Sequence, residues 1–492
     1  TIDSFGSITG GIKSIGAAVI SGRLNIDTLN ESNFFLGSGS TGYFLKDGSL
    51  TSLMNKTVTF GDNITGVFMA GNSELDNIGE IKIGDNTLAG TELIVLGIKN
   101  PLGTLNLNTK LTGGDGTMGL YYTESLASGT INYNGSGSNI IPDIEVGENG
   151  GLYSAVGVLS NSTIPGSVVN LNSAYIKLNG DNAVGLGTNG ATINVNGGKI
   201  EMTGSGTVFV VQNNGQINIL PGTEIITPND NMTIFTIIDS IFENHSGATL
   251  EVPINSVGIH GKSSIITNNG EIKSKIISGI PAIQSTGIYL EDFGLGINNN
   301  IIDLGNEGIG IFGKYSVIKN TSTGIIKVGA KGAGEYAVFG SEMENAGKIQ
   351  IGEKSIGLYA EDVAGTFVYP GVSKENKINN SGEIYSAGSM STGIYSVGLD
   401  LLNRSEIQNT GIISLSGNEG IGIMGERTNI INSGTIILGD GASSTAGIDF
   451  SIGVMGADSD VTINGGTITS GKYSIGVGIV SALEDSVLNI QA

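Results

Sequence analysis

A degenerate five-residue motif, Asn-x-Gly-x-Ile, recurs along this chain and restricts its folding more than any other feature. It occupies residues 213–217, 268–272, 345–349, 380–384, 409–413, 432–436 and 464–468. The repeat glycines are periodic: Gly247 to Gly270, Gly324 to Gly347 and Gly411 to Gly434 are each 23 residues apart (270 − 247, 347 − 324, 434 − 411). A fixed period in the twenties, built from β-branched residues and turn glycines, specifies a β-solenoid. So short a unit cannot bury an apolar face alone, and stacked neighbours supply the core. A solenoid displays sites without implying one, so the repeat speaks to architecture and leaves function open.

A second half-repeat alternates with the first. It reads Ile-Gly, then Ile, Leu or Val, then Tyr, Phe or Met, at 307–313, 355–360, 419–425 and 451–456, with a variant carrying Thr392 at 391–396. The alternation gives each coil at least two short strands with glycine or asparagine corners. Side chains alternate faces along a strand, so Ile356, Leu358 and Ala360 are expected inward, with Ser355, Gly357 and Tyr359 outward. The run 232–242 also fits helical spacing and is read as strand. Asparagine tolerates the positive φ of a tight corner, and stacked asparagines hydrogen-bond in ladders; these residues are read as structural. Residues 1–150 carry the motif in decayed form and read as an irregular solenoid with a possible cap. Residues 151–492 read as regular β-helix with loop insertions. At roughly 24 residues per coil the chain makes about 20 coils, each stacked ~4.8 Å on the last.

Composition supports a packed fold. Glycine is abundant (81) but proline is scarce (8), which excludes collagen, and 39% hydrophobic residues exclude disorder. With no cysteine, thiol chemistry and thiolate metal sites are excluded. A net charge of −22 would repel phosphate backbones, so nucleic acid is not an expected partner. No run of 18 apolar residues exists to form a transmembrane helix, and residues 1–20 show no signal peptide. The end at 489–492 does not read as a finished domain, so the chain reads as a piece of something longer.

Chemical motifs are weak. Gly-x-Gly-x-x-Gly at 308–313 and 420–425 falls inside the repeat, where a dinucleotide site would need a following helix. Residues 466–472 imitate a P-loop, but Tyr473 stands where Ser or Thr would bind magnesium. His245 and His260 are the only histidines, and no nucleophile elbow accompanies them. Parallel β-helices often act on polysaccharides, yet no Asp-Asp pair occurs, and Arg23, Arg404 and Arg427 are too scattered for a lyase site. Neither an enzyme nor a cofactor or metal site is expected.

Two features suggest binding. The residue after Gly-Ile is large and apolar on successive coils: Tyr289, Phe312, Phe339, Tyr359, Tyr395, Met424 and Met455. If the aliphatic set points inward, this column is an outward stripe suited to a sugar or a protein; the plainer reading is a stack that only stabilises the coil. The second candidate is the insertion at 362–376, with Tyr369, Lys374 and Glu375, because loops on a rigid scaffold carry function.

The Asn-x-Gly-x-Ile repeat and the Ser-x-Gly-Ile-Tyr half-repeat together resemble passenger domains of bacterial autotransporters (type V secretion). The style is most similar to the large fusobacterial outer-membrane adhesins. The resemblance covers 196–492 well and the rest weakly. It implies an all-β, right-handed parallel β-helix with protruding loops, held at the cell surface by an outer-membrane barrel beyond this chain. It further implies a non-catalytic adhesin binding host-cell glycans or a host receptor. Alternatives are a rod for self-association or interbacterial coaggregation, and a polysaccharide-degrading β-helix.

Overall fold

The computed structural model describes residues 8–491 apart from 28–33, 89–91, 102, 125, 127, 148–154, 163, 221, 229, 363–374, 445–446 and 482–485. Every regular element among the described residues is a β-strand. The chain is a parallel β-solenoid of about 18 turns, slightly fewer than expected because insertions lengthen several coils. It divides into two compact units, Thr1–Thr236 and Ile237–Ala492.

In the C-terminal unit each full turn contributes three strands. The first sheet stacks Val257–Lys262, Thr286–Glu291, Ile309–Lys314, Ala333–Val338, Ile356–Glu361, Thr392–Val397, Ile421–Glu426, Ser451–Ala457 and Ser474–Val480, all parallel. A ten-stranded and a nine-stranded sheet form the other two faces. The repeat isoleucine lies in the nine-stranded sheet: Ile272, Ile302, Ile326, Ile349, Ile384, Ile413 and Ile436 share one column and are fully buried. Each such side chain removed from water contributes about 1.5–3 kcal/mol. Every coil shares that gain only with its immediate neighbours. The ambiguous run forms the strands Met232–Ile238 and Ile241–Asn244.

The repeat asparagines sit at the corner between the second and third sheets. Asn244, Asn268, Asn298, Asn320, Asn345, Asn380, Asn409 and Asn432 are buried, and each Nδ2 but the last donates to the next Oδ1 at 2.7–2.9 Å. A polar column can stay inside because every member both donates and accepts along it.

The first sheet departs from the expected alternation. In Ile356–Glu361, Gly357, Leu358 and Ala360 are buried, whereas Ile356 is half-buried. Two consecutive inward residues mark a kink, and the register skips the glycine on each coil. A Cβ at Gly357 would lie 2.5 Å from the carbonyl oxygen of Gly393, so only glycine allows the coils this approach. Leu358 therefore keeps its expected place, and Ile356 does not.

One inward position breaks the pattern. Glu335 stands in register with Ile311 and Leu358. It is fully buried, and neither carboxylate oxygen has a hydrogen-bond partner. Burial, reinforced by the charge of Glu344, pushes its pKa up to about 8.

The N-terminal unit has the same parallel stacking with a different filling. Strands from Ile15–Ile20 to Gly206–Gln212 pair in register along one sheet. Its interior includes Tyr43, Tyr122, Tyr133 and Phe209. The phenol of Tyr133 lies 2.8 Å from the carbonyl oxygen of Thr109 and 2.9 Å from that of Asp143. Such mixed interiors hide the repeat. The sequence-based division at 150 falls within continuous pairing: Thr130–Asn134 and Ile144–Val146 both pair with Val168–Leu178. The compact units part at Thr236/Ile237.

Candidate binding surface

The expected aromatic column exists on the outer face of the first sheet of the C-terminal unit. His260, Tyr289, Phe312, Tyr336, Tyr359, Tyr395, Met424 and Met455 follow one another in register. All are half-exposed. Phe339 is not among them, which corrects the sequence assignment. It lies three residues beyond Tyr336, at the following corner with φ 58. There it stacks on Tyr315 at 5.3 Å, with the Lys314 ammonium 5.7 Å above its ring. Glu335 occupies the usual isoleucine position in Gly334-Glu335-Tyr336 and concealed the match. Aligning on the kink glycine would have recovered Tyr336, and the same alignment brings in His260.

The rings pack along the column. Centroid separations run 5.0 Å for His260–Tyr289, 4.8 Å for Tyr289–Phe312, 5.1 Å for Phe312–Tyr336, 4.7 Å for Tyr336–Tyr359 and 5.4 Å for Tyr359–Tyr395. Three of these pairs are face to face; Phe312 meets Tyr336 edge-on, as His260 does Tyr289. The stacked faces are thus mostly spent on neighbouring rings, and ring edges and phenol groups meet solvent. Stacks of this kind add about 0.5–1.5 kcal/mol per pair beyond area burial.

Two residues further along, three of the eight strands carry a carboxylate (Glu291, Glu361 and Glu426), and Lys262, Lys314, Val338, Val397 and Ala457 fill the same register column on the others. Tyr359 donates to Glu361 at 2.8 Å, and Tyr395 donates to Glu426 at 2.8 Å. His260 Nε2 lies 3.3 Å from Glu291, and Lys262 Nζ is 3.2 Å from Asp292. Burial, then the bond to Glu426, pushes the Tyr395 phenol up to about 12. Burial and Glu361 raise Tyr359 further still. These phenols stay neutral near neutrality and offer hydrogen bonds rather than a base.

Of the insertion at 362–376, Tyr369 and Lys374 lie outside the described residues. Its ends are held together: the Asp362 carboxylate accepts from Asn376 Nδ2 at 2.6 Å and from Ser405 Oγ at 2.7 Å. Burial raises the Asp362 pKa against those bonds. Glu375 sits half-exposed beside this anchor. The glycine motif at 308–313 runs into the strand Ile309–Lys314, with no helix after it. Among the described residues no group of three His, Asp or Glu could hold a metal ion.

Comparisons with known proteins bear on the fold family. No curated protein matches the chain. One solved structure, the A-module of the Azotobacter vinelandii mannuronan C-5 epimerase AlgE4, is similar at 11% identity over 92% of this chain and 91% of that one. Its TM-score is 0.15, so it carries no argument. A family model, the BigA third pectate lyase-like domain, matches residues 204–467. That match spans more than half of the chain, which therefore belongs to the family of the BigA third pectate lyase-like domain.

Proposed function

We propose that this chain is a non-catalytic adhesin domain, displayed on a bacterial surface and binding a host-cell glycan or receptor. BigA, for which the family is named, is an autotransporter-type adhesin, and that membership supports the reading. The observation that carries it is the half-exposed row from His260 to Met455, with carboxylates beside it at Glu291, Glu361 and Glu426. Stacking leaves ring edges, phenols and Glu361, Glu426 and Glu291 for a partner. That suits contacts through hydrogen bonds more than a sugar laid flat on a ring.

An enzymatic reading has less support. A general acid needs a raised carboxyl placed against substrate. The raised carboxyls Glu124, Glu335 and Asp362 are all buried. Glu335 belongs to the core, and Asp362 to the anchor of a loop.

The test is binding of the purified chain to host cells, with and without competing free sugars, alongside Tyr359→Ala and Tyr395→Ala. Binding weakened tenfold or more by these changes supports the row as the site. Undiminished binding by both variants would remove the row from the reading, and no binding by the wild type would remove the adhesin function from this chain. Sugar competition separates a glycan from a protein receptor.

A further inference from the structure

The N-terminal unit carries asparagine ladders on its outside. Asn106, Asn132, Asn170, Asn194 and Asn218 form one register column on five neighbouring strands. Each amide nitrogen from Asn132 onward donates to the preceding Oδ1 at 2.8–2.9 Å. Two residues along each strand, Asn134, Asn172 and Asn196 make a second column, bonded at 2.9 and 2.7 Å. The residues between them, such as Tyr133, Leu171 and Val195, point into the core. The asparagines are half-exposed or exposed.

Three physical facts define what this face offers. First, it is uncharged in a chain of net charge −22: the flanking column is Thr104, Thr130, Val168, Thr192 and Gln216. Second, an amide has two N–H donors and two lone pairs, so a mid-column amide that donates once and accepts once keeps one of each for a partner. Third, the ladder already fixes the rotamers, which lowers the ordering cost of binding. The columns repeat at about 4.8 Å across the strands and roughly 6.6 Å along them.

We propose that this amide face docks an uncharged, hydroxyl-rich polysaccharide chain. Hydroxyl groups both donate and accept, which matches the spare N–H and lone pair of each amide. A polymer with a regular repeat also suits a regular array. Other occupants fit less well. Nucleic acid requires Lys or Arg contacts to phosphate, which these columns lack. A stable protein interface is built on aromatic or apolar anchors, and on the described coils these three columns offer Val168 and, beside Asn196 on the last of them, the exposed Leu220. An acidic polysaccharide would meet the repulsion of the whole chain. The proposal rests on the adhesin reading in expecting a glycan, but it uses a separate surface from the aromatic row.

The test uses the whole chain in affinity electrophoresis through gels containing dextran, mannan or soluble β-glucan, with polygalacturonate as the charged control. Retardation is expected in at least one neutral gel and not in polygalacturonate. The double variant Asn170→Thr/Asn194→Thr keeps strand propensity and is expected to weaken binding at least tenfold with its melting temperature unchanged. The single change Asn172→Asp, which adds one charge at nearly constant shape, should also weaken binding. The proposal is overturned if no neutral polymer retards the wild type, if the asparagine variants bind unchanged, or if those variants instead abolish a wild-type dimer, which would make a second copy the occupant. Cell binding without neutral-polysaccharide binding would sink this proposal and leave the adhesin reading intact; loss of both would remove the two together.

Discussion

The two units contain the same device, a ladder of asparagine amides, placed on opposite sides of the wall. From Asn244 to Asn432 it is buried at a corner of the C-terminal unit. From Asn106 to Asn218 it lies outside a sheet of the N-terminal unit. The hydrogen bonds are equally short in both. What differs is the consequence of losing one. Inside, a missing partner leaves donors and acceptors that water cannot reach; outside, water replaces it. Identical local chemistry is therefore structural in one unit and available for recognition in the other.

Glu335 should break that comparison most, because it is a fully buried carboxyl that no ladder serves. Its neutral acid is the form the fold accepts, so the folded pKa is raised to about 8 from 4.5. The unfolded chain then releases this proton first. Stability from this residue is full below pH 4.5, declines between 4.5 and about 8, and is flat above. At about 1.36 kcal/mol per pH unit the loss is on the order of 5 kcal/mol. Replacing it with the leucine of the next coil, Glu335→Leu, should raise the urea midpoint most at pH 9 and least at pH 4. A wild type-to-variant difference that does not change with pH would contradict this account.

Within the closed ladder, Asn345→Ala would strand an Asn320 N–H, the Asn380 Oδ1 and the Gly347 N–H that Asn345 now serves. A loss of about 2–4 kcal/mol is expected, read as faster exchange of the amides in the strands Glu342–Asn345 and Lys377–Asn380. Exchange unchanged there would mean that water enters the corner. On the aromatic row, Tyr359→Ala removes two stacked contacts and one phenol–carboxylate bond; about 1–2 kcal/mol should be lost, with the midpoint still resolved from the wild type. The open ladder should respond least: Asn194→Thr should cost under about 0.5 kcal/mol. A cost near that of Asn345→Ala would erase the distinction between the ladders.

Much of the fold was legible because the repeat states its own physics. The spacing of Asn-x-Gly-x-Ile set the coil length, and the isoleucines of that motif formed the buried column Ile272 to Ile436. The aromatic row was legible for Tyr289, Phe312, Tyr359 and Tyr395. It failed at Phe339, because Glu335 replaced the aliphatic residue by which the repeat was aligned. Ile356 was misplaced because strict alternation takes no account of a kink made by close coil-to-coil approach at Gly357. The N-terminal unit was harder to read because tyrosines and a phenylalanine fill its core in irregular places, so no single residue type keeps time there.

The sequence alone determined that the chain is a solenoid, because periodic strands too short to bury themselves have no other way to remove apolar surface from water. It also determined that asparagines stack, since a residue repeated once per coil meets its own copy one strand away. Only the tertiary structure decided which asparagine column is inside and which is outside. Alternation fixes which residues share a face, but corners and glycine kinks choose the face that closes on the core. That choice depends on contacts between coils that no single repeat contains.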